Sequence, residues 1–137
     1  MYSFEYHRPN DLAAARLLYA EAEDPMYLSG GMTLIPSMKQ RLAAPSDLID
    51  LSGLQELQGI KDLDDQDGVG IRVGALARHN DVAANALVLN HLPVLAQVVS
   101  SIGDNQVRNR GTMGGSIANS DPAADLPAAL LGLQALI

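Results

Sequence analysis

Two Gly-Gly pairs, each flanked by hydroxyl-bearing residues, are the parts of this sequence best suited to binding an anion. The first pair, Gly30-Gly31, lies between Ser29 and Thr33, at a junction between a strand-like and a helix-like run. Adjacent glycines allow positive φ angles and remove Cβ atoms, so that successive backbone N–H groups can converge on a phosphate. The alternative is a tight strand-to-helix turn that binds nothing.

The second pair, Gly114-Gly115, has the same type of surroundings. Thr112 and Ser116 supply hydroxyl groups on either side, and Arg108 and Arg110 bring positive charge into an acidic chain. Two hydroxyl-flanked glycine turns suit the two phosphates of one diphosphate. We therefore expect both turns to contact the same ligand.

Two carboxylates follow the second pair at helical spacing. Asp121 and Asp125 are four residues apart in a segment that reads as the start of a helix, which predicts that they project on the same side. Asp121, followed by Pro122, is expected to be the helix N-cap. Asp125 is expected to interact with the helix dipole or to accept hydrogen bonds from a ribose.

Motifs for direct catalysis or metal binding are missing from the sequence. The Gly68-x-Gly70-x-x-x-Gly74 spacing misses the dinucleotide fingerprint by one residue, and neither a GxxxxGK[ST] nor an HExxH motif is present. The three histidines are dispersed, and no nucleophile or acid–base pair stands out. We therefore predict no catalytic residue and no metal ligand on this chain, and we expect a cofactor to carry any reaction.

The elements that position the first pair read as a βαβ unit. We expect a strand at 2–6, a helix from the N-cap Asn10 to about Asp24, a strand at Met26–Leu28, a helix at Thr33–Leu42 and a strand at Asp47–Leu51. Pro36 is compatible with a helix only in its first turn. This part, residues 1–52, is expected to form a small lobe.

The pattern changes after Ser52, and residues 53–137 are expected to form a larger antiparallel α+β lobe. We expect a hairpin of Ile60–Leu63 and Val69–Ala75 around the loop at 64–68, helices at Asn80–Asn85, Pro93–Ser101 and Asp121–Leu131, and a last strand at Leu133–Ile137. Because an apolar terminal strand normally continues or pairs on both sides, we expect the chain to be a fragment.

Composition limits the classes of function. The chain has 137 residues, a net charge of −7, no cysteine and no tryptophan. The negative charge argues against nucleic acid as a partner, and the lack of cysteine excludes disulfides and iron–sulfur ligation by this chain. The N-terminus has no signal-peptide pattern, and no apolar run reaches the length of a membrane span, so a cytoplasmic location is the default expectation.

Three segments resemble the FAD-binding medium subunit of the molybdenum hydroxylases, the group that contains aerobic carbon monoxide dehydrogenase and xanthine dehydrogenase. They are SGGMTLIPSMKQRL, GIRVGALARHND and QVRNRGTMGGSIANSDPAADLPAALLGL. The resemblance runs from about Tyr6 to the last residue. It implies an α+β fold of the vanillyl-alcohol-oxidase (PCMH) type, with a small βαβ lobe, a larger antiparallel lobe and FAD between them, truncated at the C-terminus.

The resemblance also implies which residues bind the cofactor. Both glycine segments would hold the FAD pyrophosphate, mainly through main-chain donors, with neighbouring residues on the ADP half or beside the first turn. The residues implied are Leu28, Ser29, Gly30, Gly31, Met32, Thr33, Leu34, Thr112, Met113, Gly114, Gly115, Ser116, Asn119 and Asp125.

The reaction implied by the resemblance is an electron relay. The molybdenum cofactor and the [2Fe-2S] clusters would lie on a large and a small partner subunit, and FAD on this chain would pass electrons to an external acceptor. Two other interpretations stay open from the residues alone. One is a truncated assembly or interaction module without FAD, whose exposed terminal strand pairs with another chain, a second copy included. The other is a phosphate-binding module for a different nucleotide.

Overall fold

The computed structural model describes residues 1–65 and 68–137, which form two compact units. The first unit is Met1–Glu56 and the second is Leu57–Ile137. The lobe boundary expected between residues 52 and 53 stays a prediction. No helix within the described ranges is long and apolar enough to cross a membrane.

The first unit is built on a three-stranded parallel sheet. Its elements are β1 (Glu5–His7), α1 (Leu12–Glu21), β2 (Pro25–Leu28), α2 (Leu34–Lys39) and β3 (Asp47–Asp50), followed by a 3₁₀ helix at Gln55–Leu57. The strand order is β1-β3-β2, and Tyr6, Leu48 and Met26 lie in register across the sheet. The parallel pairing of β2 with β3 confirms the predicted βαβ unit around the first glycine pair.

Several element ends in the first unit differ from expectation. Asp11, and not Asn10, is the N-cap of α1, because its Oδ1 accepts a hydrogen bond of 2.7 Å from Ala14 N–H. This helix ends at Glu21, three residues before the predicted end. Helix α2 is also shorter than predicted and places Pro36 in its first turn, where the missing N–H costs no intrahelical bond.

The core of the first unit is small and mostly aliphatic. Helix α1 buries Ala15, helix α2 buries Met38, and the central strand β3 buries Leu48 and Ile49. Leu54 closes this core after β3 and is 1% exposed. The central strand therefore carries the apolar residues that hold β2, and with it the first glycine pair, in place.

The second unit joins an antiparallel hairpin to a group of short helices. The elements are β4 (Ile60–Asp65), β5 (Gly68–Val73), α3 (His79–Ala84), α4 (Ala86–His91), α5 (Pro93–Ser101), α6 (Asn105–Arg108), α7 (Met113–Asn119) and α8 (Asp125–Gly132). The β4–β5 pairing confirms the predicted hairpin. The centre of the predicted loop, Gln66-Asp67, lies outside the described residues.

The core of the second unit connects the helices to one another. Val82, Val88 and Val99, from α3, α4 and α5, are fully buried, and Leu126 of α8 packs into the same cluster. Met113, the first residue of α7, belongs to this cluster and is 4% exposed. The second glycine segment is therefore anchored to the core at its N-terminal end.

The C-terminal part of the second unit contradicts two predictions. Asp121 is not a helix N-cap, because it lies in a turn where its Oδ1 accepts from Ala123 N–H at 2.9 Å, and α8 begins only at Asp125. The strand predicted at Leu133–Ile137 is wrong as well. No strand forms there in the described chain, and Leu136 and Ile137 are 99% and 93% exposed.

Candidate functional site

The first glycine pair forms a sharp turn between β2 and α2. Gly31 has a φ of +72°, a left-handed conformation that side-chain-bearing residues rarely adopt. A Cβ atom at this position would lie 2.7 Å from Ile35 Cδ1 and 3.2 Å from Leu28 Cδ1. The turn therefore requires glycine for its backbone angle, and a larger residue would also displace the end of the Ile35 side chain.

The backbone N–H groups of this turn face no acceptor in the part of the protein that the structure describes. Among the described residues, none of the N–H groups from Gly30 to Thr33 donates a hydrogen bond to the protein, whereas the Gly31 carbonyl accepts from Ile35 N–H at 3.1 Å. Thr33 precedes α2 and makes no side-chain capping bond. Consecutive donors around a left-handed glycine have the arrangement of an anion-binding nest.

The second glycine pair is not a turn, which corrects the prediction. Gly114 and Gly115 lie inside α7, and Thr112 is its N-cap, with Oγ1 accepting from Gly115 N–H at 3.2 Å. The other three N–H groups at this end also donate within the protein: Met113 to Ala77 O (2.9 Å), Gly114 to Ala75 O (2.8 Å) and Ser116 to Thr112 O (3.1 Å). This segment therefore has its backbone donors satisfied by the protein.

The glycines of the second segment serve close packing. A Cβ atom on Gly114 would lie 2.6 Å from Ala75 Cβ and 2.8 Å from Ala75 O. A Cβ atom on Gly111 would lie 2.9 Å from His79 Cδ2. The backbone at Gly111 and at Gly114 therefore lies closer to its neighbours than a residue with a Cβ atom allows.

The two polar residues implied on the ADP half lie near each other in the chain but in different helices. Asn119 is the exposed last residue of α7, and Ser120 after it adopts a left-handed φ of 51°. Asp125 is the exposed first residue of α8. Because Asp121 precedes α8, the predicted pairing of Asp121 and Asp125 on one helix face is wrong.

The arginines around the second segment have different roles. Arg108 donates from Nη1 to the carbonyl oxygens of Ile102 (3.1 Å) and Gly103 (2.9 Å), and its Nε donates to Asn80 Oδ1. Its charge is therefore used to hold the α5–α6 connection. Arg110 is exposed, and so is Arg78, which lies opposite Thr112 in an isolated bridge. Arg78 stands in the segment GIRVGALARHND, where its residue type alone does not indicate this position beside Thr112.

His79 packs against Gly111, at the start of the second glycine segment. The residue is 4% exposed, and its backbone N–H donates to Gly111 O at 3.0 Å. Its ring Nδ1 is buried and has no hydrogen-bond partner among the described residues. Burial lowers the pKa of the imidazole below its usual 6.5, since the charged form loses hydration. The ring therefore remains neutral at physiological pH.

In the first unit, Asp47 of β3 forms hydrogen bonds with two neighbouring polar side chains. His7 Nε2 and Ser46 Oγ contact the two carboxylate oxygens of Asp47 at 2.7 and 2.6 Å, and these hydrogen bonds lower the Asp47 pKa. Within the described residues, no group of three or more acidic, histidine or cysteine side chains is arranged to hold a metal ion. In the part of the chain that it describes, the structure therefore offers unused backbone donors at the first glycine segment and close glycine packing at the second.

Comparison with known proteins decides the family. The sequence profile of the family described as "FAD binding domain in molybdopterin dehydrogenase" matches residues 2–137. The chain belongs to this family. The predicted family and fold class, an α+β FAD-binding domain of the molybdenum hydroxylases, are thereby confirmed.

Individual members of the FAD-binding family show the same relationship. The chain is 40% identical over 133 residues to the carbon monoxide dehydrogenase medium chain of Hydrogenophaga pseudoflava, covering 96% of this chain and 45% of that protein. It is 37% identical to the glyceraldehyde dehydrogenase medium chain of Sulfolobus acidocaldarius, covering 98% and 46%. Reconstituted CO dehydrogenase from Oligotropha carboxidovorans superposes with a TM-score of 0.85 at 39% identity, over 92% of this chain and 43% of that one. This FAD-binding domain therefore spans about half the length of the curated relatives that it matches.

Proposed function

We propose that this chain is the FAD-binding portion of a molybdenum hydroxylase and relays electrons from iron–sulfur clusters through FAD to an external acceptor. The family profile and the medium-chain relatives of carbon monoxide and glyceraldehyde dehydrogenases support this assignment. FAD supplies the redox chemistry when bound. The chain's own residues bind and orient it.

The observation that carries the proposal is the run of N–H groups at Gly30 to Thr33. These donors have no acceptor within the described residues, and Gly31 has a positive φ, the backbone conformation found in anion-binding nests. We propose that these donors, the Met32 N–H among them, bind a phosphate oxygen of FAD. Ser29 precedes them in the same turn and is proposed to contact the same group. Leu28 and Leu34 flank the turn on its two sides.

The second segment is proposed to contribute in a different manner. Since its N–H groups from Met113 to Ser116 already donate within the protein, we propose that it contacts FAD through side chains. Thr112 and Ser116 supply hydroxyl oxygens at this end. Asn119 and Asp125 are proposed to face the ADP half, where an exposed amide and a carboxylate suit ribose hydroxyl groups.

The partners follow from the type of complex. The relatives are medium chains of dehydrogenases, so we propose an iron–sulfur small subunit and a molybdenum large subunit as partners of this chain. The chain lacks cysteine, which agrees with clusters held elsewhere. We place the complex in the cytoplasm, where these thiolate-ligated clusters are maintained.

The experiment is a ligand panel read by thermal unfolding. FAD, FMN, ADP and NAD are added separately. A ligand that binds only the folded state stabilises it by mass action, by about 2.7 kcal/mol when its concentration is 100 times Kd, and therefore raises Tm. The proposal predicts the largest shift with FAD and a smaller shift with ADP. A larger shift with NAD would support the other-nucleotide alternative, and no shift with any ligand would support a module without FAD.

A further inference from the structure

Arg78 lies directly opposite Thr112, the first residue of the second glycine segment. Two backbone hydrogen bonds flank this pair, from Met113 N–H to Ala77 O (2.9 Å) and from His79 N–H to Gly111 O (3.0 Å). This pattern is that of a non-hydrogen-bonded antiparallel pair, whose Cα atoms are about 4.5 Å apart and whose side chains leave on the same face. Arg78 and Thr112 therefore project side by side.

The guanidinium of Arg78 has no structural task in the described part of the chain. Its side chain is exposed and, among the described residues, makes no capping bond to the start of α3, no ion pair and no hydrogen bond. Arg108, by contrast, donates hydrogen bonds to two backbone carbonyl groups. In a chain with a net charge of −7, Arg78 is a cation left beside a cofactor segment.

We propose that Arg78 binds a phosphate group of the dinucleotide, an inference that rests on the proposed FAD function. The planar guanidinium matches two phosphate oxygens and forms charge-assisted hydrogen bonds with them. The backbone donors of Met113 to Ser116 are already used, so the segment cannot neutralise a phosphate through its main chain. Arg78 supplies that positive charge next to the Thr112 side chain.

The test measures FAD and riboflavin affinities of the 137-residue chain by equilibrium titration at low and at moderate ionic strength. Arg78→Gln should raise the FAD Kd about tenfold at low ionic strength, the loss of one charge-assisted contact, and should leave riboflavin affinity unchanged. The effect should shrink as salt screens the charge. The FAD Kd of Arg78→Lys should lie between those of the unsubstituted chain and Arg78→Gln, because lysine keeps the charge and loses the bidentate geometry of the guanidinium.

Lys61→Gln is the matched control, because Lys61 is exposed on β4 of the same unit and its removal changes the net charge equally. Equal FAD affinity in Arg78→Gln and Lys61→Gln would overturn the inference and leave the proposed function intact. Equal losses of FAD and riboflavin in Arg78→Gln would also overturn it, because the effect would not involve phosphate. An unsubstituted chain that binds no FAD would overturn both. Unchanged Tm without ligand checks that Arg78→Gln folds.

Discussion

Gly30-Gly31 and Gly114-Gly115 share their residue types and their hydroxyl neighbours, and they differ in where their backbone donors point. At the first pair the N–H groups of 30–33 meet no acceptor among the described residues. At the second pair every N–H group from Met113 to Ser116 donates to a carbonyl or to the Thr112 hydroxyl. The first pair therefore has backbone donors that the described part of the protein does not use, whereas the second pair lies in a helix packed closely against Ala75.

The comparison shows that a glycine pair has at least two uses that the sequence alone does not separate. At Gly31 the missing side chain permits a left-handed backbone, whereas at Gly114 it permits contact with the Ala75 backbone. The first use is the one that we propose for ligand binding. The second packs α7 against Ala75. Substitutions at the two glycines should therefore fail in different ways.

The largest effect is expected at Gly114. Gly114→Ala places a Cβ atom 2.6 Å from Ala75 Cβ and 2.8 Å from Ala75 O, and backbone cannot yield as a flexible side chain does. We expect a loss on the order of 3 kcal/mol in the free energy of unfolding, measured by urea denaturation. Gly132→Ala is the control, since its Cβ would meet nothing within 4 Å and alanine favours the helix. Equal stability of the two variants would contradict the packing role of Gly114.

The next effect separates binding from folding at Gly31. Gly31→Val forces a β-branched residue into a φ of +72°, which shifts the turn while the clash with Ile35 Cδ1 is relieved by rotation of that side chain. We expect a folded chain whose Kd for FAD, measured by fluorescence titration, rises at least about tenfold. Gly59→Val imposes similar strain at a φ of +88° in open space. If Gly59→Val weakens FAD binding as much, the first turn is not a specific cofactor contact.

The sequence was sufficient for the parts of the fold where local pattern and tertiary packing agree. The βαβ unit and the hairpin were predicted because their strands alternate or end at clear turn signals. Helix α7 was missed because Gly-Gly-Ser has poor helix propensity, and the Thr112 cap and the Ala75 contact overcome that penalty. The apolar run Leu133–Ile137 was misassigned because a short apolar run does not distinguish a strand from the residues after a helix.

A third, smaller effect concerns the Thr112 cap. Thr112→Val keeps the side-chain shape and removes the oxygen that accepts from Gly115 N–H. We expect a loss of about 1 kcal/mol in stability, measured by urea denaturation, whereas Thr112→Ser retains the oxygen and most of the stability. Equal losses in both variants would indicate that the methyl group, and not the cap, is what matters.

The smallest effect is a pH dependence caused by His79. Burial lowers its pKa in the folded chain below 6.5, so the unfolded chain binds more protons, and stability falls as pH drops below about 6.5. His79→Leu should flatten this fall in Tm between about pH 8 and about pH 5. The control, His91→Gln, removes an exposed histidine at the end of α4. An unchanged slope in His79→Leu would contradict the burial argument.

The candidate site was less predictable than the fold, for physical reasons. The sequence shows which residues are glycines and hydroxyls, but hydrogen-bond partners such as Ala75 and Ala77 are distant in the chain. For the same reason Arg78 gave no signal, since its position opposite Thr112 depends on an isolated bridge. Residue types therefore identified the segments, and only the structure separated donors that are used from donors that are not.

The most direct test of this difference is amide hydrogen exchange of the chain with and without FAD, resolved by residue. We expect the amides of Gly30 to Thr33 to exchange rapidly in the free chain and to slow on FAD addition, while those of Met113 to Ser116 are slow in both states. The opposite result, with protection at Gly30 to Thr33 unchanged by FAD and new protection appearing only at Met113 to Ser116, would contradict it.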